Sequence, residues 1–295
     1  MKNTVLGVAA MLALAGRAAA QVGVEVLLDE HQFLASESIP IAVRVNNHSG
    51  QTLHFGDENW VTYAVESRDG FIVAKTGEVP MAHNFTVESA NVATQRGDLA
   101  PMFTMMRPGG YTVTATVHIA EWGKDVVSAP MHFDIVSGTK IWEHQFGVPP
   151  KLPGQGEPEV RKYALLRAAY LKHMKLYLRL SDATDTKVYK VVQVGGVVSF
   201  SRPQTLLDKR NNLHVLYEDG ARSFNYSVIN PDGEIMIRQT HRYTDNAPRL
   251  KVDGDTGEVN VVGGMRQMAA SDLPRIKPVN KPTTTTTNDQ PPPNP

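Results

Sequence analysis

The chain has 295 residues, 41% of them apolar, and its 30 basic and 30 acidic side chains cancel. That length supports two ordinary domains with real cores, and zero net charge leaves no electrostatic footprint for nucleic acid or an anionic membrane. Cysteine is absent, which excludes disulfides, thiolate metal sites, cysteine catalysis and a lipid-anchored cysteine.

Residues 1–20 carry a targeting pattern. Lys2, the apolar run Val5–Ala15 and Ala18-Ala19-Ala20 before Gln21 match a secretory signal peptide, so export to the periplasm or the exterior is expected. The run is too short for a ~30 Å hydrocarbon core. No second apolar segment follows, so no transmembrane segment is expected.

Residues 22–138 read as a β-sandwich. In Ser38–Val45, Ile39, Ile41, Val43 and Val45 alternate onto one face, and Asn46 to Gly50 form a turn. Trp60–Glu66 and Phe71–Lys75 flank Asp69-Gly70 and predict a hairpin. Tyr111–Ile119 alternates again, and Pro130–Val136 closes the domain. Residues 139–162, with Pro149, Pro150, Pro153 and Pro158, read as a Pro/Gly-rich linker. Ile141, Trp142 and Phe146 are too apolar for a free tether. Glu159–His173 fits a helix opened by Pro158 or an outer strand; repeat phase favours the strand.

Residues 163–269 form the second β domain, whose core is a unit written twice. Lys175–Gly196 aligns with Asn212–Gly233 at an offset of 37 without a gap. Leu176 falls on Leu213, Leu178 on Val215, Asp182 on Asp219, Tyr189 on Tyr226 and Gly196 on Gly233. Asn230-Pro231-Asp232-Gly233 is a turn by its chemistry. Residues 270–295, rich in Pro and Thr, have nothing apolar to bury and read as a disordered tail.

The stretches Ile41–Gly50 and Pro108–Val117 resemble bacterial immunoglobulin-like domains of exported proteins, which implies an immunoglobulin-like sandwich without the disulfide of antibody domains. The repeated units resemble β-propeller blades, whose period is ~40–45 residues. Two and a half units are too few to close a propeller. The fold expected is therefore all-β: an immunoglobulin-like β-sandwich followed by blade-like antiparallel repeats, as an incomplete propeller or a second sandwich. Taken whole, the chain resembles exported bacterial proteins of that two-part layout, a resemblance that implies no particular activity.

No catalytic signature appears: G-x-S-x-G, S-x-x-K, H-E-x-x-H and a phosphate loop are all missing, and no cofactor or metal is expected. Asp253–Glu258 has the spacing of a calcium loop but Gly264 stands where the closing carboxylate belongs, which favours a plain turn. His118 and His132 are expected on neighbouring strands, and His214 and His241 are expected to face solvent. Tyr189 and Tyr226 occupy equivalent repeat positions and are expected in equivalent core holes. Tyr177 and Arg179, opposite Leu176, Leu178 and Leu180, and Tyr217 are the expected binding face, suited to stacking on sugars or anchoring a protein.

These features predict a non-enzymatic binding or assembly module of the cell envelope or exterior, with a protein or glycan partner. The alternatives are an exported polysaccharide hydrolase or its accessory domain, acting through carboxylates such as Asp182 and Asp219, and a protease inhibitor built on the immunoglobulin-like domain and presenting the loop Val92–Pro101. An incomplete repeat array leaves edge strands that invite self-association.

Overall fold

The computed structural model describes residues 22–56, 59–149 and 159–274. The signal-peptide pattern, residues 150–158 of the linker and the tail from 275 onward lie outside the described residues. The described residues are all-β, with one turn of 3₁₀-helix at Ala120–Trp122, and none of their helices is long and apolar enough to cross a membrane. The chain divides into two compact units between Gly196 and Val197.

In the first unit, β1 (Val22–Leu28), β2 (Gln32–Leu34), β3 (Pro40–Asn47), β4 (Leu53–Phe55), β5 (Val61–Ser67), β6 (Phe85–Val87), β7 (Val92–Asp98), β8 (Gly109–Ile119), β9 (Lys124–Val127) and β10 (Met131–Val136) build a β-sandwich. One sheet runs β1-β3-β7; the other runs β2-β10-β8-β5, with β9 also on β8. Alternation sets the inward faces: Tyr111, Val113, Ala115, Val117 and Ile119 of β8 are buried in one core with Val24, Val43, Trp60 and Phe133. The connection after β3 is fastened from inside. Asn47 is fully buried; its amide nitrogen donates to Gln51 O and Val87 O, and its amide oxygen accepts from Ser49 N and Ser49 Oγ.

Two expectations are corrected here. The segment Trp60–Glu66 does not pair with Phe71–Lys75; β5 pairs with β8, Val65 opposite Val113. Phe71 and Ile72 are exposed and so offer no buried face, although Gly70 does make the turn at φ 76°. Val92–Pro101 is not a presented loop, because β7 is held along its length by β3 and Leu99 is fully buried.

Then β11 (Thr139–Val148), β12 (Glu159–Tyr170), β13 (His173–Asp182) and β14 (Val188–Val197) form an antiparallel sheet in chain order. Residues 139–148, expected as linker, are thus a strand, and 159–170 is strand rather than helix. One face of this sheet packs on the sandwich: Leu166, Ala168, Tyr177 and Val191 cluster with Leu34 of β2 and Val136 of β10. That contact explains why the unit boundary falls after β14 and not before β11.

The second unit contains β15 (Gln204–Leu207), β16 (Leu213–Gly220), β17 (Ser223–Ile229), β18 (Ile235–Arg242), β19 (Arg249–Val252), β20 (Val259–Val262) and β21 (Met265–Gln267). The sheet runs β15-β16-β17-β18-β21, and β19 and β20 make a separate hairpin. The 37-residue repeat corresponds to the hairpins β13–β14 and β16–β17, one in each unit, and its matched positions Leu176, Leu213, Leu178 and Val215 are all fully buried. Central strands in both sheets are buried over consecutive residues, 162–166, 175–178 and 213–217, as in strands covered on both faces.

Candidate functional site

The three residues expected to form a binding face do not form one. Tyr177 and Tyr217 are 2% and 1% exposed and belong to different units. Both lie in runs of consecutive buried residues, so the face opposite the leucines of β13 is packed rather than solvated. Burial raises the phenol of Tyr177 and pushes that of Tyr217 up to about 12. Arg179 is half-buried and its Nη2 donates to Asp185 Oδ1 at 3.1 Å. Asp182 and Asp219 are turn groups: Asp182 accepts from Thr184 Oγ1 and Lys187 N, and Asp219 accepts from the side chain of Asn225. His118 and His132 do lie on the neighbouring strands β8 and β10, but His118 pairs with Asp125 and His132 with Thr112 rather than with each other.

The structure instead assembles a site that sequence reasoning missed. His214 and His241, expected to face solvent, are 6% and 7% exposed. In the second unit Leu216 lies opposite Tyr226, Tyr226 opposite Gln239, His214 opposite Val228, and Phe224 opposite His241. These registers put all of them on one face and make His214 and His241 the diagonal neighbours of Tyr226, one on each adjoining strand. The hairpin β19–β20 packs over the same face through Leu250 and Val261. Between hairpin and sheet lies a cleft of about 670 Å³, lined by Asp208, Arg210, His214, Tyr226, Gln239, His241 and the segment 256–261.

Local structure fixes the polar groups. The turn between β15 and β16 closes on Asp208: Oδ1 accepts from Arg210 N and Asn212 N, and Oδ2 accepts from Asn212 Nδ2 at 2.8 Å and from His214 Nε2 at 3.4 Å. A carboxylate only accepts, so Nε2 carries the imidazole proton and Nδ1 is the acceptor. Tyr226 Oη then donates to His214 Nδ1, 2.6 Å away. Burial lowers His214, with Asp208 pulling it back, and burial also pushes the Tyr226 phenol up to about 12. Burial and then the charge of Arg266 lower His241, whose Nε2 is buried with no hydrogen-bond partner among the described residues.

The hairpin wall is equally specific. Asp253 Oδ1 accepts from Asp255 N and Thr256 N, so the calcium-like sequence is a turn organised by its first carboxylate. Lys209 Nζ donates to Thr256 O at 2.8 Å, and a Cβ on Gly257, at φ 71°, would stand 2.4 Å from Lys209 Cε. Glycine suits the position by its left-handed backbone conformation; the lysine chain could swing aside from a Cβ.

The arrangement is a carboxylate, a neutral imidazole and a phenol in series, on the floor of a polar cleft. A second crevice of about 400 Å³, in the first unit, holds Glu37 among Asp98, Met105, Met106 and Tyr189. Asp98 there is committed to Ser38 Oγ, Ile39 N and Ala100 N, leaving Glu37 as its buried titratable carboxyl.

No protein-family model matches the chain, and no curated protein matches it. Among solved structures, the sporulation control protein Spo0M from Bacillus subtilis aligns over 59% of this chain and 89% of its own, at 9% identity and a TM-score of 0.30. Likeness at that level carries no argument about fold or function.

Proposed function

We propose that the protein is an exported binding module of the cell envelope or exterior, made of an immunoglobulin-like sandwich and blade-like antiparallel sheets, and that it takes a glycan in the cleft of its second unit. The observation that carries this reading is the cleft itself. Its volume of about 670 Å³ is in the range of small-ligand sites, ~300–1,000 Å³. Gln239, Asn260, Arg210 and Glu258 line it with donors and acceptors of the kind that sugar hydroxyls require. Its one tyrosine is sunk into the floor, whereas a protein interface needs exposed anchors over about 800 Å² per partner. Export is supported by the pattern of Lys2, Val5–Ala15 and Ala18–Ala20.

The test is titration calorimetry of the full chain against a panel of cell-wall and plant glycans. Replacing Gln239 and Asn260 together with alanine is expected to weaken the best ligand by about tenfold or more, the effect of losing about 1.4 kcal/mol of hydrogen bonding. An unchanged affinity would place the ligand elsewhere.

A further inference from the structure

We propose that the cleft also performs chemistry: Tyr226, hydrogen-bonded to His214 Nδ1, is the proton-transferring residue of a β-elimination that cleaves hexuronate-containing polysaccharide. This rests on the glycan reading above and goes one step beyond it. The geometry is that of a proton relay: phenol to imidazole at 2.6 Å, and imidazole to the oriented carboxylate of Asp208 at 3.4 Å. Tyr226 faces the ligand, and His214 and Asp208 act through it as positioning residues.

The choice of reaction follows from what the cleft holds. Glycoside hydrolysis ordinarily needs a pair of carboxyl groups flanking the bond. Here both oxygens of Asp208 are occupied by four donors, and only Glu258 remains as a second carboxylate in the lining. Elimination needs no such pair. It needs a base for the proton beside the uronate carboxylate, a proton for the leaving oxygen, and groups that steady the carboxylate as charge moves onto it. The lining supplies cations at the exposed Lys209 and Arg210 and an amide at Gln239. It also supplies His241 Nε2, more than nine-tenths buried and without a partner among the described residues.

In the step, His214 Nδ1 takes the phenolic proton as the Tyr226 oxygen takes the proton from the carbon next to the carboxylate. The electron pair of that C–H bond becomes the new carbon–carbon double bond. The bond from the adjoining ring carbon to the glycosidic oxygen breaks, its pair staying on the oxygen. Tyr226 protonates that oxygen, and the imidazolium returns its proton to Tyr226. No oxidant, reductant or co-reactant is consumed.

The experiment incubates the full chain with polygalacturonate, alginate and hyaluronan. Product is followed by the ultraviolet absorbance of the conjugated unsaturated uronate, and binding of the same polymers by calorimetry. We expect turnover of at least one polymer. Tyr226→Phe keeps the ring, and should cut the rate by about 100-fold or more while affinity moves by less than about threefold. Its retained binding and unchanged circular dichroism report that it folds. Binding of a polymer without product would overturn the elimination and leave the binding module standing. Failure to bind any of the three would overturn the elimination together with its choice of ligand, leaving neutral glycans to the panel above. Equal rates in wild type and Tyr226→Phe would overturn the role of the phenol.

Discussion

Glu37 makes the first unit weaken as pH rises, against the usual behaviour of a carboxylate. It sits between β2 and β3, 8% exposed, with Oε2 accepting from Leu34 N at 2.7 Å. Its pKa is raised from 4.5 to about 7, mainly by burial; the Leu34 N–H opposes this, the charge of Glu30 adds to it, and Lys175 offsets part of it. Lys175 gives little more because its ammonium is committed to Glu30 at 2.5 Å and lies over the Tyr170 ring. In the unfolded chain the carboxyl loses its proton near 4.5, whereas the folded protein keeps it until about 7. Within that window the folded state holds more protons, so stability falls as pH rises. At 1.36 kcal/mol per pH unit, the interval from 4.5 to about 7 corresponds to about 3 kcal/mol. Glu37→Gln keeps the acceptor oxygen and removes the titration. All three tryptophans, Trp60, Trp122 and Trp142, lie in the first unit, so urea unfolding followed by tryptophan fluorescence reports on that unit. The stability of the variant relative to wild type should grow by about 3 kcal/mol between the acid and alkaline sides of the window. Parallel pH profiles for the two proteins would refute the reasoning.

The second unit should behave oppositely. His214 and His241 are held neutral by burial below the ordinary imidazole value of 6.5, so the unfolded chain binds more protons and stability is lost as pH falls through and below 6.5. Hydrogen exchange of peptides spanning 213–242, corrected for intrinsic rates, should show protection dropping on acidification, and replacing both histidines with glutamine should flatten it; equal slopes would count against the assignment. Asn47→Ala removes four hydrogen bonds from a fully buried side chain and leaves the Val87 carbonyl unpaired by it, an expected loss of about 2–3 kcal/mol in the tryptophan-reported urea transition. A loss below about 0.5 kcal/mol would mean that the turn after β3 is not held by this residue.

Much of the fold was legible in one dimension because burial leaves a period. Tyr111–Ile119 alternates in sequence and β8 alternates in burial, since one of its faces meets the core and the other does not. The offset of 37 likewise marks two hairpins whose first strands bury Leu176 with Leu213 and Leu178 with Val215. The copies diverge beyond them: β13 and β14 are 10 residues each, against 8 and 7 for β16 and β17. Tyr226 is buried, whereas its counterpart Tyr189 is not and bonds Glu159 at the surface, so the expected equivalent core holes do not form. The partner of each strand was not legible. The turn at Asp69-Gly70 suggested a local hairpin, yet β5 pairs with β8, more than forty residues away, because only that partner shares its buried face. Residues 139–148 carry prolines just beyond them and looked like linker; their strand character comes from pairing with β12.

The candidate site shows the same division. Alternation alone put Tyr177 on a solvent face and left His214 and His241 exposed, because a period of two says which residues share a face and nothing about what covers it. Covering is a tertiary event: β2 and β10 lie over Tyr177, and the β19–β20 hairpin lies over the face of His214, Tyr226 and His241. One sequence signal was present, since His214 stands where the first copy of the repeat has Tyr177. The residue types, most of the strands and the turn chemistry were thus determined by the sequence itself, while β11 was not. Only the tertiary structure decided that a histidine on β16 would meet a tyrosine on β17 under a hairpin, because inter-strand register and the covering of a sheet face arise from contacts between segments distant in the chain.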